Sequence, residues 1–125
     1  MSCSNGYDFS SPENTYDSYI KAVEKKDIEG MSKCFDSEVV LYSKENIKIL
    51  ANKLFNEVNI ESHKIINIEN LSETEIGLIV EEVMKRENIK TKSTIRIKFK
   101  NINGDWKICS TETLAFNPEV KPVGN

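Results

Sequence analysis

The chain has 125 residues, a usual length for one domain, and at this size it buries about two thirds of its unfolded surface without metal or disulfide help. Hydrophobic residues make up 38% and charged residues 30%, which excludes a disordered polyelectrolyte. The net charge of −3, from 17 basic and 20 acidic residues, excludes the basic footprint that binds nucleic acid, and no apolar run approaches the roughly 18 residues that span a bilayer.

Residues 1–10 are polar and read as a disordered or tether segment. As a native start, Met1 points to the cytoplasm. If Met1-Ser2 are not native, Cys3-Ser4-Asn5-Gly6 resembles the mature start of a bacterial lipoprotein. Lipidated Cys3 would then tether the protein outside the membrane, the only membrane association expected.

A single domain is expected over residues 11–116. Ser10, Ser11 and Pro12 open the first helix, because either serine can cap and proline suits the first turn. Tyr16, Tyr19, Ile20 and Val23 then form an apolar stripe. Asp27 can cap a short second helix with Ile28, Met31, Cys34 and Phe35 buried, although Gly30 inside it costs about 1 kcal/mol relative to alanine. Val39 to Tyr42 reads as a short extended piece. The third helix follows from Ile47, Leu50, Ala51, Leu54, Phe55 and Val58, with Ser43 as its cap.

From Ser62 the period changes from 3.6 to two. His63 to Ile68, Glu75 to Arg86, Thr91 to Lys100 and the stretch from Trp106 to Leu114 read as strands. Glu87-Asn88 and the Asn101 to Asp105 segment are short enough to make antiparallel hairpins. Residues 117–125 read as coil. The fold class is therefore α+β, with the third helix packed across a mainly antiparallel sheet. Leu54, Phe55, Ile97, Phe99 and Trp106 are the expected core.

Ser11-Pro12-Glu13, the run Ala22-Val23-Glu24-Lys25-Lys26-Asp27 with Met31, and Asn103-Gly104-Asp105-Trp106-Lys107-Ile108 carry a resemblance to a known superfamily. From about Ser10 to Leu114 the chain resembles the nuclear-transport-factor-2-like cone domains, in which a curved sheet wraps a helix. Within them it looks most like small bacterial domains, many of them lipoproteins. The resemblance implies a cone pocket and frequent dimers. It implies no reaction, because this fold hosts isomerases, cyclases, dehydratases and non-catalytic binders alike.

Strand parity gives the pocket residues independently. With Glu87-Asn88 as a two-residue turn, Glu82 pairs with Ser93, Val80 with Ile95, Leu78 with Ile97 and Ile76 with Phe99. Continuing the alternation places Trp106, Ile108, Ser110 and Glu112 on the same face. That face is apolar at one end and turns polar at Glu82, Ser93, Ser110 and Glu112, as a core opening into a pocket mouth would. Tyr16, Tyr19 and His63 can approach from other elements. The plainer alternative is that the strands outrun the helices and these groups meet solvent. The opposite face carries Glu81, Thr94, Arg96, Lys98, Lys107, Cys109, Thr111 and Thr113, suited to solvent or to a polar homodimer interface.

Several chemistries stay open. Glu82 and Glu112 could act as an acid–base pair. By the resemblance to the isomerases of this fold, Tyr16 or Tyr19 could supply a phenol and Asp36 or Glu38 a base. By the resemblance to the cyclases, His63 could pair with Asp36 or Glu61. No metal is expected, since His63 is the only histidine and Cys3, Cys34 and Cys109 lie far apart. No cofactor is expected, since no glycine-rich phosphate loop or nucleophile elbow is present. The reading from sequence is a non-catalytic small-ligand-binding or protein-interaction domain. The alternatives are a small acid–base enzyme of the isomerase or cyclase kind and a structural dimerisation module.

Overall fold

A computed structural model describes residues 6–120, the side chains of Glu57, Glu119 and Val120 apart. Helix α1 (Pro12–Lys25) is capped by Ser11, whose hydroxyl accepts from the Asn14 N–H. It ends where Lys26 turns left-handed at φ 57°. Helix α2 (Ile28–Lys33) follows at once, with the Asp27 carboxylate accepting from the Gly30 N–H and from the Tyr7 hydroxyl. A Cβ at Gly30 would lie 2.4 Å from Tyr7 Cε2 and 2.6 Å from Asp27 Oδ2. The glycine that weakens this helix locally is thus what lets Tyr7 lie against it. Gly30→Ala is expected to destabilise the fold by about 1–3 kcal/mol. A loss below about 0.5 kcal/mol in urea unfolding would mean that Tyr7 moves aside freely.

Val40–Tyr42 is a turn of 3₁₀ helix, not the extended piece expected. Helix α3 (Lys44–Glu57) is capped by Ser43, as its sequence implies. Four strands follow: β1 (Asn59–Asn70), β2 (Glu75–Arg86), β3 (Ile89–Ile102) and β4 (Asp105–Val120). They form one antiparallel sheet in the order β1-β2-β3-β4. The β2–β3 turn is Glu87-Asn88, and all the expected pairs, from Ile76 with Phe99 to Glu82 with Ser93, are formed. Asn103 and Gly104, with φ values of 55° and 95°, make the β3–β4 turn.

Both ends of the domain extend further than expected. Tyr7 is buried, and the Trp106 N–H donates to the Phe9 carbonyl, so these residues belong to the fold rather than to a tether. The Cys3-Ser4-Asn5 segment lies outside the described residues. Strand β4 runs on through Asn117 and Pro118 to Val120, where a coil was expected. As an edge strand it tolerates a proline, whose missing N–H need not serve a ladder on the outer side.

The core forms between α1 and the sheet. Tyr16 and Ile20 from α1 are buried with Leu78 and Val80 of β2, Ile97 and Phe99 of β3 and Ile108 of β4. Helix α3 packs chiefly on α2, α1 and the 3₁₀ turn instead of lying across the sheet. It buries only Ile47 and Ala51 fully, while Leu54 and Phe55 are half-buried. Trp106, expected in the interior, is half-buried as well. The gap between α3 and the sheet positions the site.

Candidate functional site

A cavity of about 220 Å³ lies inside the curve of the sheet. Met84, Ile95, Ile97 and Ile108 form its sheet side, and Leu50 and Leu54 of α3 face them. Tyr19, Phe35 and Tyr42 supply aromatic walls, and Thr111 and Thr113 add hydroxyls. Among the described residues Glu82 is the one acid in the lining.

Glu82 is 3% exposed, although its residue type is rarely buried. Its position follows from strand alternation, since Leu78, Val80 and Glu82 share the inner face of β2. Tyr16, itself 2% exposed, donates a 2.7 Å hydrogen bond from its hydroxyl to Glu82 Oε2. His63 stands directly opposite Glu82 on β1, and Ser93 directly opposite on β3. The His63 ring meets the Tyr16 ring edge-on, with centroids 5.7 Å apart, yet His63 as a whole is exposed.

Burial pushes the Glu82 carboxyl above the usual carboxylate range, while the Tyr16 hydrogen bond and the nearby His63 pull it partly back. Burial likewise raises the Tyr16 phenol, and the Glu82 charge raises it further. Tyr19 is raised by burial first and by Glu82 second. Tyr42 is raised by burial, with a hydrogen bond to Thr111 acting against it. The site is therefore a set of neutral phenols around one acid that resists ionisation.

Of the seven residues expected here, five come together and two do not. Tyr19 and Glu82 line the cavity; Tyr16, His63 and Ser93 surround Glu82. Ser110 and Glu112 lie on the outer face, opposite Lys98 and Arg96. The cause is a break in register between Lys98 and Phe99, where β4 carries Cys109 as an extra residue and its parity flips. Thr111 and Thr113, expected outside, therefore face inward. The acid–base pairing of Glu82 with Glu112 falls with this, since the two carboxylates lie on opposite sides of the sheet. Asp36 and Glu38 line not the cone cavity but an adjoining surface groove of about 560 Å³, which shares Phe35 and Tyr42 with it and also carries Lys33 and Lys107. The acid directly opposite His63 across the β1–β2 ladder is Glu82.

The outer face is laced by ion pairs. Lys64 and Lys92 each approach Glu81 at 3.5 Å, and Arg96 bridges Glu69 and Glu112 at 2.8 Å. The two Glu69 and Glu112 contacts hold the Arg96 guanidinium in its charged form. Glu112→Ala is expected to change stability by no more than about 0.5–1 kcal/mol, because the pair is exposed and screened. A larger loss in urea unfolding would mean that this carboxylate does structural work its exposure does not suggest. Among the described residues no cluster of three or more His, Cys, Asp or Glu side chains is disposed to hold a metal. Cys34 is buried, its thiol pushed up to about 12 by that burial.

No family model and no curated protein matches the chain. Solved structures do. A SEC-C motif containing protein from Rhodopseudomonas palustris superposes with a TM-score of 0.72 at 15% identity, over 85% of this chain and 80% of that one. A hexachlorocyclohexane dehydrochlorinase from Novosphingobium barchaimii gives 0.67 at 13% identity, over 90% and 88%. An NTF-2 like protein of unknown function from Shewanella oneidensis gives 0.65 at 13% identity, over 81% and 93%. With helices leading into a curved four-stranded antiparallel sheet, the chain has the nuclear-transport-factor-2-like cone fold.

Proposed function

We propose that this domain binds a small, mainly apolar molecule in its cone. The observation that carries the reading is Glu82, a buried carboxyl in the wall of an otherwise apolar and aromatic cavity. Packing gains nothing from a carboxyl there, since burying one costs free energy that a single tyrosine hydrogen bond only partly offsets. An apolar cavity with a few convergent polar groups is the usual make-up of a ligand site. A homodimer through the outer face is the weaker reading, because the charges there are paired within one chain.

The test is to titrate benzyl alcohol into labelled protein and follow amide shifts. Perturbations should centre on Tyr19, Met84 and Ile95, and Thr113→Phe, which fills the cavity, should abolish them. Shifts confined to the outer face, or binding unchanged in the filled variant, would overturn the reading.

A second reading is proton transfer at Glu82, favoured by its burial and raised pKa beside a tyrosine donor. One fold neighbour is a dehydrochlorinase and another has no known function, so fold likeness does not choose between binding and catalysis. Here Glu82 would take a proton from carbon next to a polarised group of the ligand and return it to a neighbouring atom. Deuterium exchange into cyclohex-2-enone, faster with the protein than without it and lost in Glu82→Gln, would support catalysis. Exchange at the buffer rate would leave the domain a binder.

A further inference from the structure

Tyr19, Phe35 and Tyr42 form a continuous aromatic wall. The Tyr19 and Phe35 rings meet edge-on with centroids 5.8 Å apart, and those of Phe35 and Tyr42 lie 4.7 Å apart. Aromatic faces carry negative potential, and a carboxyl in the same wall adds to it. No lysine or arginine lines the cavity among the described residues. The groups around Glu82 are Tyr16 and Tyr19 from α1, His63 from β1 and Ser93 from β3. His63, the only base among them, is exposed and outside the cavity wall. Tyr16 occupies Oε2, and among the described residues no hydrogen bond engages Oε1.

An interior of this kind repels an anion. It gives a neutral molecule one hydrogen-bond acceptor but no use for the field of the rings. It rewards a cation twice, through the rings and through the charge partner that burial denies Glu82. Size limits the rest of the ligand. A dry apolar cavity of about 150 Å³ accepts benzene, so 220 Å³ holds a single ring with a short substituent, not a fused polycycle. We propose that the cone takes a small protonated amine on an apolar body of about one ring, with its ammonium group against Glu82 and the face of Tyr19 or Tyr42. This rests on the reading of the cone as a ligand site.

The experiment is calorimetric titration of the full chain at neutral pH with benzylamine, benzyl alcohol and benzoate, which share a ring and differ in charge. Benzylamine should bind at least about tenfold more tightly than benzyl alcohol, as a desolvated cation–aromatic contact with a carboxylate partner predicts. Benzoate should bind weakest. Glu82→Gln should remove the preference for the amine, so that benzylamine binds no more tightly than benzyl alcohol in the same variant. Tyr42→Leu, which leaves the acid in place, should reduce the preference in part. If benzyl alcohol binds as tightly as benzylamine, if benzoate binds best, or if the preference survives in Glu82→Gln, the amine assignment is overturned and the cone remains a ligand site. If none of the three binds the folded chain, the amine proposal and the ligand-site reading fall together.

Discussion

Phe99→Ala should cost about 3–5 kcal/mol, as removal of a fully buried aromatic ring does. Phe99 is fully buried on the inner face of β3, flanked by Ile76 on β2 and Ile108 on β4. Removing the ring forfeits its transfer free energy and leaves a void that close-packed neighbours fill only in part. The loss is a large share of the roughly 5–15 kcal/mol that holds a domain of this size together. It should appear in urea unfolding as a lower midpoint with an unchanged slope. Phe116→Ala is the matched control. Phe116 lies on the same face but is 60% exposed, and its loss should stay within about 1 kcal/mol. Equal losses at the two sites would mean that the strand ends are covered and the cone is closed there.

The contrast between these two phenylalanines marks how far the site could be read from the sequence. Elements and their order were legible because the apolar period changes once, near Ser62, and because Ser11, Asp27 and Ser43 each cap a helix as their side chains allow. The β2–β3 register was legible because a two-residue turn leaves one pairing that aligns apolar with apolar, and that pairing put Glu82 on the inner face. The same alternation failed on β4. Cys109 and Leu114 are extra residues in the ladder, at the register breaks beside Phe99 and Ile95. An extra residue reverses the parity of all that follows, and nothing in Ile108-Cys109-Ser110 announces it. Glu112 was thereby misplaced and Thr111 and Thr113 missed. That His63 opposes Glu82 could not be read either, since two register breaks lie in the β1–β2 ladder itself, between Ile60 and Ser62 and between Ile65 and Asn67. The stand-off of α3 from the sheet, which opens the cavity, is a property of tertiary packing. A helical apolar stripe such as Ile47, Ala51 and Leu54 does not say which surface it meets.

Glu82→Gln should make the protein more stable than its parent at neutral pH and should flatten its pH dependence. The folded-state pKa of Glu82 is raised, chiefly by burial, above its value in the unfolded chain. Such a group is neutral in both states below the unfolded value, near 4.3, and there it imposes no ionisation penalty. As pH rises above that value the unfolded chain ionises first, so the native state loses ground until pH passes the raised folded value. Beyond that point the penalty is constant. Glutamine never ionises, yet its carbonyl can still accept from Tyr16, so the variant keeps the contact and sheds the penalty. Asp27 and Glu69 act in the opposite sense, because their lowered pKa values give stability that is lost as pH falls. The informative quantity is therefore the difference between parent and variant, measured by urea unfolding across the acid-to-neutral range. That difference should grow from near zero in acid to its full value at neutral pH. Tyr16→Phe should steepen the parent's decline, because it removes the hydrogen bond that holds the carboxyl's pKa down. Parallel curves for parent and Glu82→Gln would mean that Glu82 is hydrated in solution, and the buried acid on which the site reading depends would be lost with it.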